Sequence, residues 1–366
     1  MCNQTVADKH MNVTFGDLLN QKSWDKYEDY VSQGIHEYSR NLAGEVATGK
    51  KMKRKIRGFV EKHFDIKTIP EDLSDQKDLL TGGHVMGIDG TVALHKTISG
   101  TMAQIGIVAV NYLNERMEHS YFISEAIYKQ DIEDVTEYLF SHEPANRVLS
   151  NLVIRAILLY RERELGLAGR FATKYKLYHG PILPFELMSD LGRLRALDFT
   201  LDVLRKLVSN KRCFSIISRA QNDAYVRIGF SLEKGEYLKI HKNVGLEIID
   251  ERRLVAHQDK WREEDLLKIN HFLQQDASKL VSGIIKLSDR PYVFQAHEDN
   301  FDLAAKIIAR DSMFQREKGF PLLIDYADTL CGSLFRSGDF NRIIEYQLAK
   351  DGQFLSEMSE ETLRQK

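Results

Sequence analysis

Cysteine is scarce: Cys2, Cys213 and Cys331 are odd in number and far apart in 366 residues, which excludes a disulfide scaffold and a CxxC zinc module. So few thiols fit a reducing cytoplasm, the compartment expected for this chain. Proline is also rare, at six, and no Gly/Ser-rich linker is present; the length suggests about two domains, yet one large domain with insertions suits the sequence equally well. No apolar run reaches the roughly 20 residues needed to span a bilayer, and the opening MCNQTVADKHMNVTF lacks the basic-then-apolar order of a signal peptide, so no membrane association is expected. An excess of either charge is missing as well. With 51 basic and 53 acidic side chains and a formal net charge of −2, the chain is neither a polybasic nucleic-acid arm nor an acidic tail protein. What it does have is 43% hydrophobic and 10% aromatic residues. That suffices for a real core, since a chain of this size removes about three quarters of its unfolded surface on folding.

The usual chemical signatures are absent too. There is no GxxxxGK[ST] phosphate loop, GxGxxG fingerprint, GxSxG elbow or HExxH zinc helix, and the twelve histidines show no metal-ligand spacing. Nucleotide hydrolysis, hydride transfer and serine-hydrolase chemistry therefore lack their common marks.

Three stretches organise the chain. Residues 1–80 are polar, read mostly as helix and contain KKMKRKIR at 50–57, where Lys50, Lys51, Lys53, Arg54, Lys55 and Arg57 form the densest positive charge present. Such a run is either a solvated helix face or a phosphate-backbone contact, because clustered Lys and Arg displace the counterions of DNA. Residues 81–340 carry the patterned core, and 341–366 form a tail. From His84 onward, HVMGIDGTVALHK, ISGTMAQIGIVAVNYL and HSYFISEAIY are β-branched, glycine-bounded runs that predict a β-meander. A helix is predicted over 131–168, a strand in KYKLYHGPILPF at 174–185, a helix along Leu191 to Val208 and a buried strand at 212–218. Antiparallel strands can join by hairpins, whereas parallel ones need helical crossovers. The order therefore predicts an α/β fold of ribonuclease H-like type, a mixed sheet flanked by helices, with a helical N-terminal extension and insertions. Further strands are predicted in YVRIGFSLEKGEYLKIHKNVGLEII, and helices over 264–285, 300–313 and 319–336.

Within this frame Gly87-Ile88-Asp89-Gly90-Thr91 places a carboxylate at a strand end, where a divalent cation could sit with a water shell open to phosphate. An Asp-Gly at that place also suits a plain turn. Glu162 and Glu164 lie on opposite shoulders of their helix, so only one is expected to face the sheet, and the pattern does not say which. Asp325 and Asp328, three residues apart, share one side of the last patterned helix and either complete an acidic cluster or face solvent.

The order of these motifs resembles the NurA nuclease family, partners of the hexameric HerA ATPase. The matching pieces are Asp89-Gly90-Thr91, the helix glutamate (Glu162 or Glu164), His179-Gly180-Pro181-Ile182, the strand running from Ser215 to Arg219, and Gly319-Phe320-Pro321 leading into Asp325 and Asp328. The resemblance spans about residues 84–336. It implies a homodimeric, ribonuclease H-like nuclease that hydrolyses DNA phosphodiesters with manganese or magnesium, in end processing or anti-phage defence. Asp89 would be the principal ligand, joined by Glu162 or Glu164, His179 and Asp325 or Asp328, and Arg219 would hold a phosphate. One ion would activate water and another steady the leaving oxygen. Two departures stand out. His179 occupies the position of an expected aspartate, which removes charge and weakens the case for magnesium, and Ala327-Asp328 replaces an alanine-histidine pair. A catalytically weak scaffold that docks on the ATPase and guides DNA is the alternative these departures raise. An α/β binding protein with merely solvated acids is a third.

Overall fold

The computed structural model describes residues 49, 51–97, 100–125, 150–169, 173–189, 195–219, 222–250 and 262–351. The chain divides into two compact units, Met1–Ile56 and Arg57–Lys366. Of the helical extension expected over 1–80, residues 1–48 and Lys50 lie outside the described residues; 49, 51–63 and Ser74–Thr81 are helical, whereas Ile66–Thr68 is a strand.

Among the described residues the second unit is built on a nine-stranded mixed sheet in the order β1-β7-β8-β9-β6-β5-β2-β3-β4. The strands are β1 (Ile66–Thr68), β2 (Val85–Thr97), β3 (Gly100–Val110), β4 (Arg116–Ser124), β5 (Tyr175–His179), β6 (Cys213–Ile217), β7 (Glu236–Asn243), β8 (Leu280–Lys286) and β9 (Pro291–His297). The helices are α1 (Ser74–Thr81), α2 (Asn151–Leu167), α3 (Phe185–Met188), α4 (Leu197–Ser209), α5 (Asp223–Ser231), α6 (Val244–Asp250), α7 (Glu263–Gln274), α8 (Phe301–Ser312), α9 (Leu322–Leu334) and α10 (Ser337–Lys350). The meander β2-β3-β4 is antiparallel, while β5 lies parallel to β2 and β6 parallel to β5. Meander, helix, strand, helix, strand is the ribonuclease H-like layer that the sequence order predicts.

Side-chain alternation splits the core between the two faces of the sheet. Met86, Ile88 and Tyr178 pack with α2, α4 and α7 on one face, whereas Val85, Leu177 and Phe214 pack with α1, α8 and α9 on the other. Ser150 starts α2 by accepting from the Val153 amide at 3.3 Å. The portion of the expected 131–168 helix before residue 150 lies outside the described residues. Across the sheet, the buried Asp311 anchors α9: its Oδ2 accepts from the Leu323 amide at 3.0 Å, and the Tyr112 hydroxyl donates to its Oδ1. Burial pushes the Asp311 carboxyl up to about 6, against the pull of those two donors.

Two expectations need correction. The alternation in 225–249 conceals two helices around one strand: Asn222 caps the Ala224 amide at 2.9 Å and starts α5, and only β7 extends before α6. The helix expected over 264–285 stops at Gln274, and Leu280–Lys286 is β8, in which every residue is buried. A strand covered on both faces reads as a continuous apolar run, and periodicity alone does not separate that from a buried helix. Its partner β9 opens on Pro291, tolerated at a first strand position because no ladder donor is required there.

Candidate active site

Parallel strand β5 ends at His179, opposite the point where β2 pairs last with it at Ile88, yet β2 continues to Thr97 with β3 alone beside it. Open α/β sheets bind ligands in the crevice beyond the carboxyl ends of such strands. Asp89 is the first β2 residue past that point, and it is buried. Two glycines bring the flanking helices close. A Cβ at Gly87 would meet the backbone of Leu323 in α9 at 2.6 Å, and one at Gly90 would meet Oε1 of Glu162 in α2 at 2.7 Å. The Asp89-Gly90 pair is therefore neither the strand end expected from the sequence nor a turn: both residues lie inside β2, and a side chain at residue 90 would crowd Leu158 and the α2 glutamate. On the α9 side the Cys331 thiol donates to the Asp89 carbonyl at 3.3 Å, tying helix to strand.

The structure separates the two helix glutamates. Glu162 is buried at the crevice, while Glu164 points outward and pairs with Arg161 at 2.6 Å. Glu162 Oε2 accepts from Arg163 Nη1 at 2.5 Å. Arg163 is itself wholly buried; it donates to the carbonyls of Leu159 at 3.3 Å and Pro181 at 2.6 Å and lies over the Tyr178 ring, 5.7 Å from its centroid. Burial pushes the Glu162 carboxyl up to about 7; Arg163 opposes the shift and Asp89 adds to it.

His179 turns towards Asp89. Its Nδ1 is 3.3 Å from both carboxylate oxygens, and its Nε2 is 3.0 Å from the Ser218 hydroxyl. A nitrogen facing a carboxylate carries its proton, so Nδ1 donates and, in the neutral ring, Nε2 accepts from Ser218. Burial alone lowers the imidazole's proton affinity, but the hydrogen bond and charge of Asp89, followed by Glu162 and Asp328, outweigh it and hold the pKa above 6.5. Asp328 is exposed on α9, and its carboxyl is raised by partial burial and then by Asp89. Asp325, one turn earlier, is taken by an ion pair with Lys318.

Asp89 and His179 thus feel both Glu162 and Asp328, whereas Glu164 is paired with Arg161 and Asp325 with Lys318. Arg219 is exposed just past β6, where Arg290 Nη2 donates to the Ser218 carbonyl at 2.6 Å. In the basic run Lys51, Arg54 and Lys55 are exposed, Lys53 is half-buried, and Arg57 pairs with Glu236 and with Glu61. Sequence reasoning missed Arg163 and Ser218. The signal for Arg163 was available: Leu159, Glu162, Arg163 and Gly166 follow the i, i+3, i+4, i+7 spacing of a buried stripe, with adjacent opposite charges in its middle.

Compared by fold, the chain is similar to the crystal structure of the NurA nuclease from Sulfolobus solfataricus, with a TM-score of 0.51 and 10% identity, over 87% of this chain and 98% of that one. The chain has a NurA-like fold. A second NurA structure aligns with a TM-score of 0.49 and 12% identity, over 84% of this chain and 95% of that one. A third, NurA bound to dAMP and manganese, aligns with a TM-score of 0.48 and 12% identity, over 81% and 92%. By sequence, no family model and no curated protein matches the chain.

On this NurA-like frame, the donor set at the crevice suits a divalent cation in kind: three carboxylates and an imidazole, oxygen-rich and mutually repelling. Among the described residues, no three His, Cys, Asp or Glu side chains already surround one point. A cation would have to draw the acids together. The residues fit such an ion by their chemistry, and their mutual repulsion is the strain that it would relieve.

Proposed function

We propose that this chain is a DNA nuclease that hydrolyses phosphodiester bonds in the crevice at the end of β5, using manganese or magnesium. The observation that supports the reading is that Asp89 of β2, just past the carboxyl end of β5, feels the charge of Glu162 from α2 on one side and of Asp328 from α9 on the other. Asp89, Glu162 and Asp328 would hold the ion, which when bound supplies a Lewis acid and an activated water. The chain's own part is to orient. Gly90 lets Glu162 approach, Cys331 fixes β2 against α9, and His179, held by Ser218, sets the direction of the Asp89 carboxylate. Arg219 and Arg290 lie at the end of β6 with the fixed charge that suits a phosphate.

The working assembly in this reading is a homodimer in the cytoplasm, coupled to a HerA-type hexameric ATPase in end processing or anti-phage defence. No described helix is long and apolar enough to cross a membrane. With a net charge of −2, the chain has no overall excess of positive charge with which to grip DNA unaided, so in this reading the motor does the gripping, helped by Lys51, Lys53, Arg54 and Lys55. A second reading, a scaffold with a weak site, has one observation in its favour: His179 faces both oxygens of Asp89.

Cleavage of linear duplex DNA in manganese and in magnesium, with and without the ATPase, separates the two readings. Asp89→Ala is expected to lower cleavage at least about a hundredfold while leaving the complex intact, the scale of losing a group that stabilises transition-state charge. Silence of the unaltered chain under every condition, with the complex still forming, would favour the scaffold.

A further inference from the structure

Helix α10 lays only one side on the sheet. Asn341, Ile344, Glu345 and Leu348 are half-buried, and Asn341 Oδ1 lies 3.0 Å from His95 Nδ1 of β2. The opposite side carries Asp339, Ile343, Tyr346 and Lys350, all of them exposed. Their spacing of four, three and four residues is the one that lines side chains up along a single seam for a facing helix, as in a coiled coil. At the centre of the seam Ile343 is 62% and Tyr346 67% exposed. The apolar surface widens towards the edge of the sheet, where Phe122 of β4, 68% exposed, holds its ring 6.1 Å from that of Phe340, one turn before Ile343.

Single apolar side chains on a surface are ordinary; what sets these apart is the charge at either end of them. An acid closes the N-terminal end of the seam and a base the C-terminal end, and neither Asp339 nor Lys350 forms an ion pair among the described residues. A second copy of α10 laid antiparallel, with the two-fold axis midway between Ile343 and Tyr346, sets Ile343 against the partner's Tyr346 and Asp339 against the partner's Lys350. Each contact then occurs twice, as a two-fold interface requires. The helix dipoles also oppose one another in that arrangement. A parallel pairing would set acid on acid and base on base. The seam is thus complementary to itself in one orientation, which argues for a second copy of this chain as its occupant.

We propose that two copies of the chain associate through α10, packed antiparallel along Asp339, Ile343, Tyr346 and Lys350, with Phe122 and Phe340 enlarging the contact. The proposal rests on the homodimer reading given above and supplies its surface; it draws on nothing in the crevice.

The test is sedimentation velocity of the full chain over roughly 1–100 μM, with circular dichroism to verify the fold of each variant. A dimer is expected. Ile343→Asp, at an exposed position, should leave the fold intact and weaken the dimer at least about a hundredfold, because it puts a charge at the centre of both contacts. Asp339→Lys and Lys350→Asp each set like charges together at both ends of the seam and should each weaken the dimer about tenfold, less so at high salt. Combined in one chain they restore opposite pairing, and the affinity should return to within about threefold of that of the unaltered chain. If the two charges served only the ends of their own helix, the combined change would be no better than either single one, and that result would overturn the proposal. So would a chain that is monomeric throughout the range, or a dimer that neither Ile343→Asp nor the single charge changes weaken. The insensitive dimer leaves the homodimer reading standing on another face, whereas the monomer removes both. Should Ile343→Asp fail to fold, the charge changes decide alone. DNA cleavage by the unaltered chain is scored separately: its absence removes the nuclease reading and leaves the α10 pairing intact.

Discussion

Glu162 and Asp311 are both buried carboxylates raised well above their ordinary range, yet they are built for different ends. Asp311 uses both oxygens on the fold, one on the Tyr112 hydroxyl and one on the amide that opens α9. Glu162 gives Oε2 to Arg163, while its Oε1 lies against Gly90 and accepts no hydrogen bond from the described residues. Burial and a raised pKa are therefore shared by a structural acid and the acid proposed for the site. What separates them is leftover acceptor capacity aimed at a crevice, together with a counter-charge fixed on the side away from it.

Removing that counter-charge should give the largest effect. Arg163→Met leaves Glu162 buried and unpaired, and a loss of about 3–5 kcal/mol in urea unfolding is expected. Adding Glu162→Gln to the same chain should recover much of it. If the double variant is no better than the single one, Arg163 acts through packing on Tyr178 rather than through charge. Asp311 predicts a pH effect next. Its carboxyl titrates near 3.8 when unfolded and about 6 when folded. The native state thus holds more protons than the unfolded one between those values, and stability falls as pH rises through the window. Asp311→Asn should flatten that fall, worth about 2–3 kcal/mol, and leave DNA cleavage within about twofold. A slope unchanged by the substitution would mean that another group titrates there. The smallest effect belongs to Glu164: Glu164→Gln should change stability by less than about 0.5 kcal/mol, as exposed ion pairs do, and leave cleavage unaltered. A loss of cleavage comparable to that of Glu162→Gln would erase the distinction between the two glutamates.

Local pattern made part of this legible in the sequence. The meander shows because β-branched runs bounded by glycine have few other ways to fold, and α9 shows because its apolar stripe is regular. The strand β8 does not show, since a strand buried on both faces loses the alternation that marks strands. Glu162 could be named as one of two, but the choice between it and Glu164 depends on Arg163 entering the core, and a buried guanidinium violates the rule by which helix faces are read. The contact of His179 with Ser218 joins the ends of two strands brought side by side by pairing, a proximity that no spacing along the chain records.

The unequal lengths of β2 and β5 also have a mechanical consequence. From Asp89 to Thr97 the strand stands out beyond its parallel neighbour like a cantilever, about 26 Å long at the usual rise per residue, braced by β3 and by α10 through the Asn341 contact to His95 at 3.0 Å. Its root is the residue proposed to hold the ion. Load applied along that arm, whether by a polymer drawn past it or by a partner gripping its braces, is shared between β2 and the β3 ladder beside it and reaches the Asp89 backbone, where the Cys331 thiol ties the strand to α9.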